Sequence, residues 1–217
     1  MLVPRDSRFD FNTLASRLQR LTRLDTSVFE EVREDASATV PAICVVTGAT
    51  LLAGLGGWFW WLLQPFGDST RVLFQSVIMG TIFSIALWIV WMLVTWVMLT
   101  QLFREDADWQ QMLRTMGMAS IPLAISFGVF VPGIGLGVGL VALVLLFGLT
   151  NIAIQAVTPA DPARVLVANV AGFAVWAIVL GLLVTSNTYL APGVFLFDSP
   201  VEAAGGGLAH FCRALIT

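Results

Sequence analysis

Lysine is absent from this 217-residue chain, histidine and tyrosine occur once each and cysteine twice, and all eleven basic residues are arginine. Each scarcity excludes something. His210 stands beside Cys212 in the C-terminal tail, far short of the three or four ligands that a zinc site requires, so no metal or other cofactor is expected. Cys44 and Cys212 flank an odd number of expected crossings and fall toward opposite sides of a bilayer, which excludes a disulfide between them. Charged residues are only 12% of the chain and the net charge is −3, so nucleic acid is not an expected partner. With one histidine, two separated cysteines and no charge at mid-depth, no assembly for hydrolysis, phosphoryl transfer or redox chemistry can be built, and the chain is not expected to be an enzyme.

Apolar sequence fills the space left by charge. The chain is 58% hydrophobic with a mean hydropathy of +0.87, which places it in the integral membrane class. Residues 116–157 contain no Asp, Glu, Lys, Arg or His, and at ~1.5 Å rise per residue they suffice for two crossings of a ~30 Å hydrocarbon layer. Pro132 and Gly133 near the midpoint predict a turn between Phe130 and Gly135. The expected fold is all-α, a polytopic membrane bundle of about five transmembrane helices. Residues 1–37 form amphipathic or interfacial helices, 38–188 the membrane domain, and 189–217 a far-side interfacial tail.

Arginine distribution gives the topology. An inner N-terminus puts Arg5, Arg8, Arg17, Arg20, Arg23, Arg33, Arg104, Arg114 and Arg164 on the inner side, against Arg71 and Arg213 outside; this bias predicts a cytoplasmic N-terminus and a far-side C-terminus. The first 40 residues lack the apolar core of a signal peptide, so insertion is expected to begin with the first transmembrane helix. The expected location is the cell membrane, with an endomembrane of a eukaryote as the alternative.

Along the chain, Leu14, Leu18, Leu21 and Leu24 fall at helical spacing, with Asn12 as a candidate N-cap and Arg17, Arg20 and Arg23 flanking the stripe. Such a helix either lies on anionic headgroups or packs against the bundle's own inner face. Ser27 and Glu30 match a capping box for a second short helix with Val28, Phe29 and Val32 on one side. In the first crossing, about Val40 to Leu63, Ala49, Ala53 and Gly57 form a small row that lets another helix approach. Trp58, Trp60 and Trp61 crowd its end as an interfacial belt. The second, Val72 to Phe103, would measure ~48 Å as a helix and must tilt or protrude. Its Trp88, Trp91 and Trp96 are expected to pack in the core or toward lipid rather than stack on a pigment. The third crossing, about Met112 to Val131, should kink at Pro122. The fourth opens with Gly133, Gly135, Gly137 and Gly139, two overlapping small-residue pairs expected to be buried against protein. Asn151, Gln155 and Asn169 lie near the inner ends of the fourth and fifth helices and are the candidates for a polar vestibule.

Gly117-Met118-Ala119-Ser120-Ile121-Pro122 resembles the Gly-Tyr-x-x-x-Pro of the Yip/Yif family of Rab-interacting membrane proteins, with Gly117 and Pro122 matching and Met118 in the tyrosine position. A Pro-Gly turn and a short polar connection follow, and LDTSVFEEVREDASA resembles the lead into the first helix of the short prokaryotic members; the Asp-Leu-Tyr-Gly-Pro motif of the eukaryotic proteins is absent. The resemblance covers roughly residues 24 to 188. It implies five clustered helices and a non-catalytic protein that binds partners or organises membrane. Membrane lipids and other membrane proteins are the expected partners, and the small-residue faces allow a homo-oligomer. The alternatives are a small transporter or channel using the three amides, or an accessory subunit of a larger membrane complex.

Overall fold

The computed structural model describes residues 10–63, 70, 73–131 and 133–186, with side chains to 182. The expected turn at 65–70 lies almost wholly outside the described residues. Pro132, Arg5, Arg8, Arg71 and the far-side tail with His210, Cys212 and Arg213 lie outside them as well. Among the described residues every regular element is helical. Two short helices, α1 (Phe11–Thr22) and α2 (Ser27–Glu34), lead through a 3-10 turn into α3 (Thr39–Leu62). Then come α4 (Phe74–Leu102), α5 (Trp109–Phe130), α6 (Gly135–Gln155) and α7 (Pro162–Ser186). The last five are each long and apolar enough to cross a membrane.

Both N-terminal helices start from an aspartate. Asp10, not Asn12, caps α1 by accepting from the Asn12 N–H. The expected Ser27/Glu30 box does not form. Asp25 accepts from both the N–H and the hydroxyl of Ser27, while the Glu30 carboxylate that the box would use pairs with Arg33 instead. α1 ends with the Asp25 N–H on the Arg20 carbonyl and the Leu24 N–H on that of Leu21. This is a Schellman arrangement with Leu24 at φ +59° in the position usually held by glycine, a conformation that costs a side-chain-bearing residue about 1–2 kcal/mol.

The five long helices form a closed ring in the order α3, α5, α6, α7, α4. α3 is squeezed hardest. Its small row Ala49, Ala53 and Gly57 is buried, together with Gly54 and Gly56. A Cβ on Gly56 would sit 2.6 Å from the Phe127 carbonyl oxygen and 2.7 Å from its Cα, and one on Gly54 would sit 3.1 Å from the Ser76 carbonyl oxygen. Only residues without side chains let the backbones of α5 and α4 come this near. Gly117 meets Ala42 in the same way, with 2.9 Å between Cβ positions. Opposite, Gly172 of α7 abuts Trp91 and Thr95 of α4.

Pro122 does more than kink α5. After Met118 the helix tightens into a 3-10 stretch from Ile121 to Phe130, far longer than the three or four residues usual for that conformation. The missing proline N–H removes one i→i−4 bond, and the Ser120 hydroxyl donates to the Met116 carbonyl inside the last α turn. Both ends of α4 widen into π-helix, Phe74–Met79 and Met98–Leu102.

The fourth-helix glycines divide, contrary to the expectation that all are buried. Gly135 abuts the Val129 carbonyl and Gly139 is buried, whereas Gly137 is exposed with open space around its α-carbon. Gly133 precedes the helix, in the turn, at φ +87°. Helical geometry explains the split: with the helix beginning at Gly135, positions 135 and 139 share a face and 137 lies ~200° around from 135. Gly56→Leu is therefore expected to destabilise the bundle by about 1–3 kcal/mol through overpacking, whereas Gly137→Leu leaves the detergent melting temperature unchanged. Equal effects of the two substitutions would show that α3 does not pack as described.

Candidate functional site

Two polar assemblies stand out. The first lies within the ring and starts from Asn169, which is fully buried. Its Oδ1 accepts from the Trp91 indole N–H at 3.0 Å, and its Nδ2 donates to Thr150 Oγ1 at 3.4 Å and to the Phe147 carbonyl at 3.5 Å. One amide thus joins α4, α6 and α7. Thr95 adds a second link, donating to the Trp91 carbonyl at 2.9 Å and lying 3.4 Å from the Ala168 carbonyl. Aromatic rings close around the node: Trp91 sits 5.2 Å from Phe173 and 5.8 Å from Trp176, centroid to centroid. Phe147 lies 5.3 Å from Phe173. Trp88 and Trp91 are core residues, and Trp96 packs on Trp109 while donating to the Ala107 carbonyl.

The three amides singled out as a vestibule are not brought together. Asn169 pairs with Thr150 and Trp91. Asn151, one residue further along α6 and so ~100° around it, is half-buried, and its Oδ1 is buried without a hydrogen-bond partner. Gln155 is partly exposed in the last turn of α6. Among the described residues no hydrogen bond joins any two of them. The sequence motif residues Gly117 and Pro122 serve packing: one admits Ala42 and the other starts the 3-10 stretch.

The second assembly lies outside the ring, along the edge of the apolar stripes of α1 and α2, where Arg17 is buried between Leu14 and Leu21. Leu14, Leu21, Val28, Phe29 and Val32 pack with Ala42 and Val45 of α3, Met118 of α5, and Leu149 and Ala153 of α6. α1 thus lies against the bundle, and its arginines turn to carboxylates. Arg17, only 6% exposed, donates to Glu31 at 2.9 Å and to Asp35 at 2.7 Å. Arg20 bridges Asp25 and Glu31 at 2.9 and 2.8 Å. Arg33 donates to the Ala156 carbonyl at 2.8 Å, capping the C-terminal end of α6 where positive charge is favoured. Arg164 pairs with Glu105 at 2.6 Å, tying the start of α7 to the α4–α5 connection. Arg114 is buried beside its own helix, its Nε on the Gln110 carbonyl. Among the described residues no group of three or more His, Cys, Asp or Glu is placed to hold a metal ion. Cys44 is exposed on α3.

Carboxylates of the clamp are shifted toward the charged form. Burial pushes Glu31 and Asp35 up, but hydrogen bonds from Arg20 and Arg17 to the first, and from Ser37 and Arg17 to the second, outweigh it and leave both below their ordinary values. Asp25 is held down at about 2 by the Ser27 hydroxyl and then by Arg20. No protein-family model, curated protein or solved structure matches the chain, so the site stands on its own geometry.

Both assemblies make measurable predictions. Asn169→Leu leaves the Trp91 N–H buried without an acceptor and is expected to cost about 0.5–2 kcal/mol; in a double-mutant cycle Trp91→Phe should cancel most of that cost, and strictly additive losses would refute the node. In the clamp, depressed carboxylate values mean that stabilisation is fully present above the ordinary 3.8 of Asp and 4.5 of Glu, and is lost as pH falls through the folded values. Amide protection factors of residues 11–22, corrected for intrinsic exchange, should therefore fall below about pH 4 while remaining level above pH 5. Arg17→Gln should weaken the part of this acid dependence carried by Glu31 and Asp35, leave the part carried by Asp25, and loosen α1 by about 1 kcal/mol. An acid profile unchanged by that substitution would remove the clamp from the account.

Proposed function

We propose that the chain is a non-catalytic integral membrane protein of Yip-like type, which binds partners within or on the membrane or organises the bilayer around itself. The observation that carries this reading is how the polar side chains of the spans are used. Asn169, Trp91, Thr150 and Thr95 bond to one another and to main-chain carbonyls, joining helices. The charged residues of the five spans, Arg114 and Arg164, both sit within two turns of a span's N-terminal end. Polar groups used this way fix a shape, and the chemistry left for outside molecules is that of surfaces. Those surfaces are apolar along the spans, with Val144 70% exposed on α6, and mixed at the N-terminal helices, where Glu30 and Glu34 are exposed. The arginine distribution supports a cytoplasmic position for these helices and a cell-membrane location.

A transporter reading draws support from the orphaned Oδ1 of Asn151 and from the hydroxyls of Thr81, Ser84 and Ser126, buried in the spans without a hydrogen-bond partner. The two readings separate in one pair of measurements on the full chain. Photo-crosslinking from position 144 in native membranes is expected to give a discrete protein adduct, and vesicles carrying the purified chain are expected to show proton and ion flux at the protein-free level. Flux above that level that disappears with Asn151→Leu would overturn the binding reading in favour of transport.

A further inference from the structure

Most cations of the N-terminal helices have found anions within the chain. Arg17 and Arg20 share Asp25, Glu31 and Asp35, and Arg33 holds Glu30, Glu34 and the Ala156 carbonyl. Arg23 differs: it is exposed, and no carboxylate lies within ion-pair distance of it among the described residues. The nearest acid in sequence, Asp25, is engaged by Arg20 and by Ser27.

Arg23 stands between Thr22 and Leu24, and both line an apolar groove of about 400 Å³. That volume falls within the range of small-molecule sites. Leu21 and Leu24 form the end of the groove at α1, Ile121 and Ile125 its wall on α5, and Leu145 and Leu149 its wall on α6. Leu145 is the midpoint of its span and Leu149 lies one turn nearer the end that packs on α1 and α2, with Ile121 near the midpoint of α5. The groove therefore opens beside the Arg23 backbone and runs toward the hydrocarbon centre, the direction in which an acyl chain leaves its headgroup. Leu24 supplies a second, independent sign. It holds left-handed backbone, where glycine would be unstrained, and its side chain is 64% exposed over the groove. The Schellman turn that ends α1 sets its backbone, and its exposed side chain lies where a hydrocarbon ligand in the groove would cover it.

We propose that this groove binds one acyl chain of an anionic phospholipid, with the Arg23 guanidinium on the lipid phosphate. A guanidinium presents paired N–H donors that match phosphate oxygens, and the groove wall offers the chain aliphatic contact on three sides. The charge makes the site selective for anionic lipid, and the groove makes it a single site rather than a diffuse annulus. The site does not depend on whether the chain also binds protein partners.

The test uses the full-length protein in detergent, titrated with phosphatidylglycerol or phosphatidylcholine of identical acyl chains, with bound lipids counted by native mass spectrometry. One phosphatidylglycerol per chain should be retained about fivefold more strongly than phosphatidylcholine, the preference expected of one interfacial arginine. Arg23→Gln should bring the ratio near one without abolishing binding, and Ile125→Trp should reduce retention of both lipids by filling the groove. A photoactivatable acyl chain on phosphatidylglycerol should label peptides containing Ile125 or Leu145 in the unmutated protein, a readout that needs no variant to fold. Equal retention of the two lipids, a preference unaltered by Arg23→Gln, or labelling spread evenly over the spans would each overturn the proposal. So would capture of another polypeptide, in place of lipid, by a crosslinker at Leu24.

Discussion

The contact of α3 with the backbones of α5 and α4 is the constraint on which the rest of the bundle depends. Between membrane helices there is no hydrophobic drive, because lipid tails are as apolar as leucine. Helices are held by dispersion, which falls steeply with any gap, and by hydrogen bonds. Gly56 meets main-chain atoms of α5 at distances no Cβ tolerates, Gly54 meets those of α4 at distances a Cβ would crowd, and Gly117 leaves room for the Cβ of Ala42. Once α3 is fixed this way, the 3-10 half of α5 is placed against it, α6 follows onto that half, and the ring closes through α7 onto α4.

Two kinds of energetics meet at the N-terminal helices. Outside the ring, α1 and α2 are amphipathic in the manner of soluble helices. Full burial of Leu21, Val28, Phe29 and Val32 contributes roughly 1.5–3 kcal/mol per side chain. The ion pairs of Arg17 and Arg20 add orientation more than stability, since their carboxylates keep partial contact with solvent. Inside the ring, burial no longer separates apolar from polar groups. There the buried residues of 80–97 in α4 include Thr81, Ser84 and Thr95 beside Trp88, Trp91 and Met92, a stripe that a soluble helix would turn outward in part.

This difference decides what was legible in the sequence. The five long helices were plain from uncharged apolar runs, and the Ala49, Ala53, Gly57 row from its period of four. The N-terminal apolar face was equally plain, but not what it packs on: the partners that hold Arg17 lie 14 and 18 residues away, and an arginine-flanked stripe reads the same beside a headgroup. Asn169 was visible as an intramembrane amide, while its acceptor role toward Trp91, 78 residues distant, was not. Asn169 meets α6 at Thr150 rather than at Asn151, and the next position along a helix points ~100° away. The glycines of α6 misled for a related reason. Four at spacing two look like one bare face, but helical positions two apart cannot share a face, and Gly133 is not helical. Gly56 and Gly172 follow Ala49 and Ala168 at helical spacings too common to single them out, and their importance comes from what crosses them.

The 3-10 conformation of α5 changes the bundle's relation to bilayer thickness. Ten residues rising ~2.0 Å each reach ~20 Å, where the same ten in α-helix would reach ~15 Å. The first turns of α5 lie beside α2, so this stretch supplies most of the helix's apolar height. The hydrocarbon depth that the protein matches is thus governed by hydrogen-bond register in one half-helix rather than by residue count. A shift of that register toward α would shorten one wall of the ring and leave a local mismatch, which surrounding lipid meets by thinning and the other four helices by tilt.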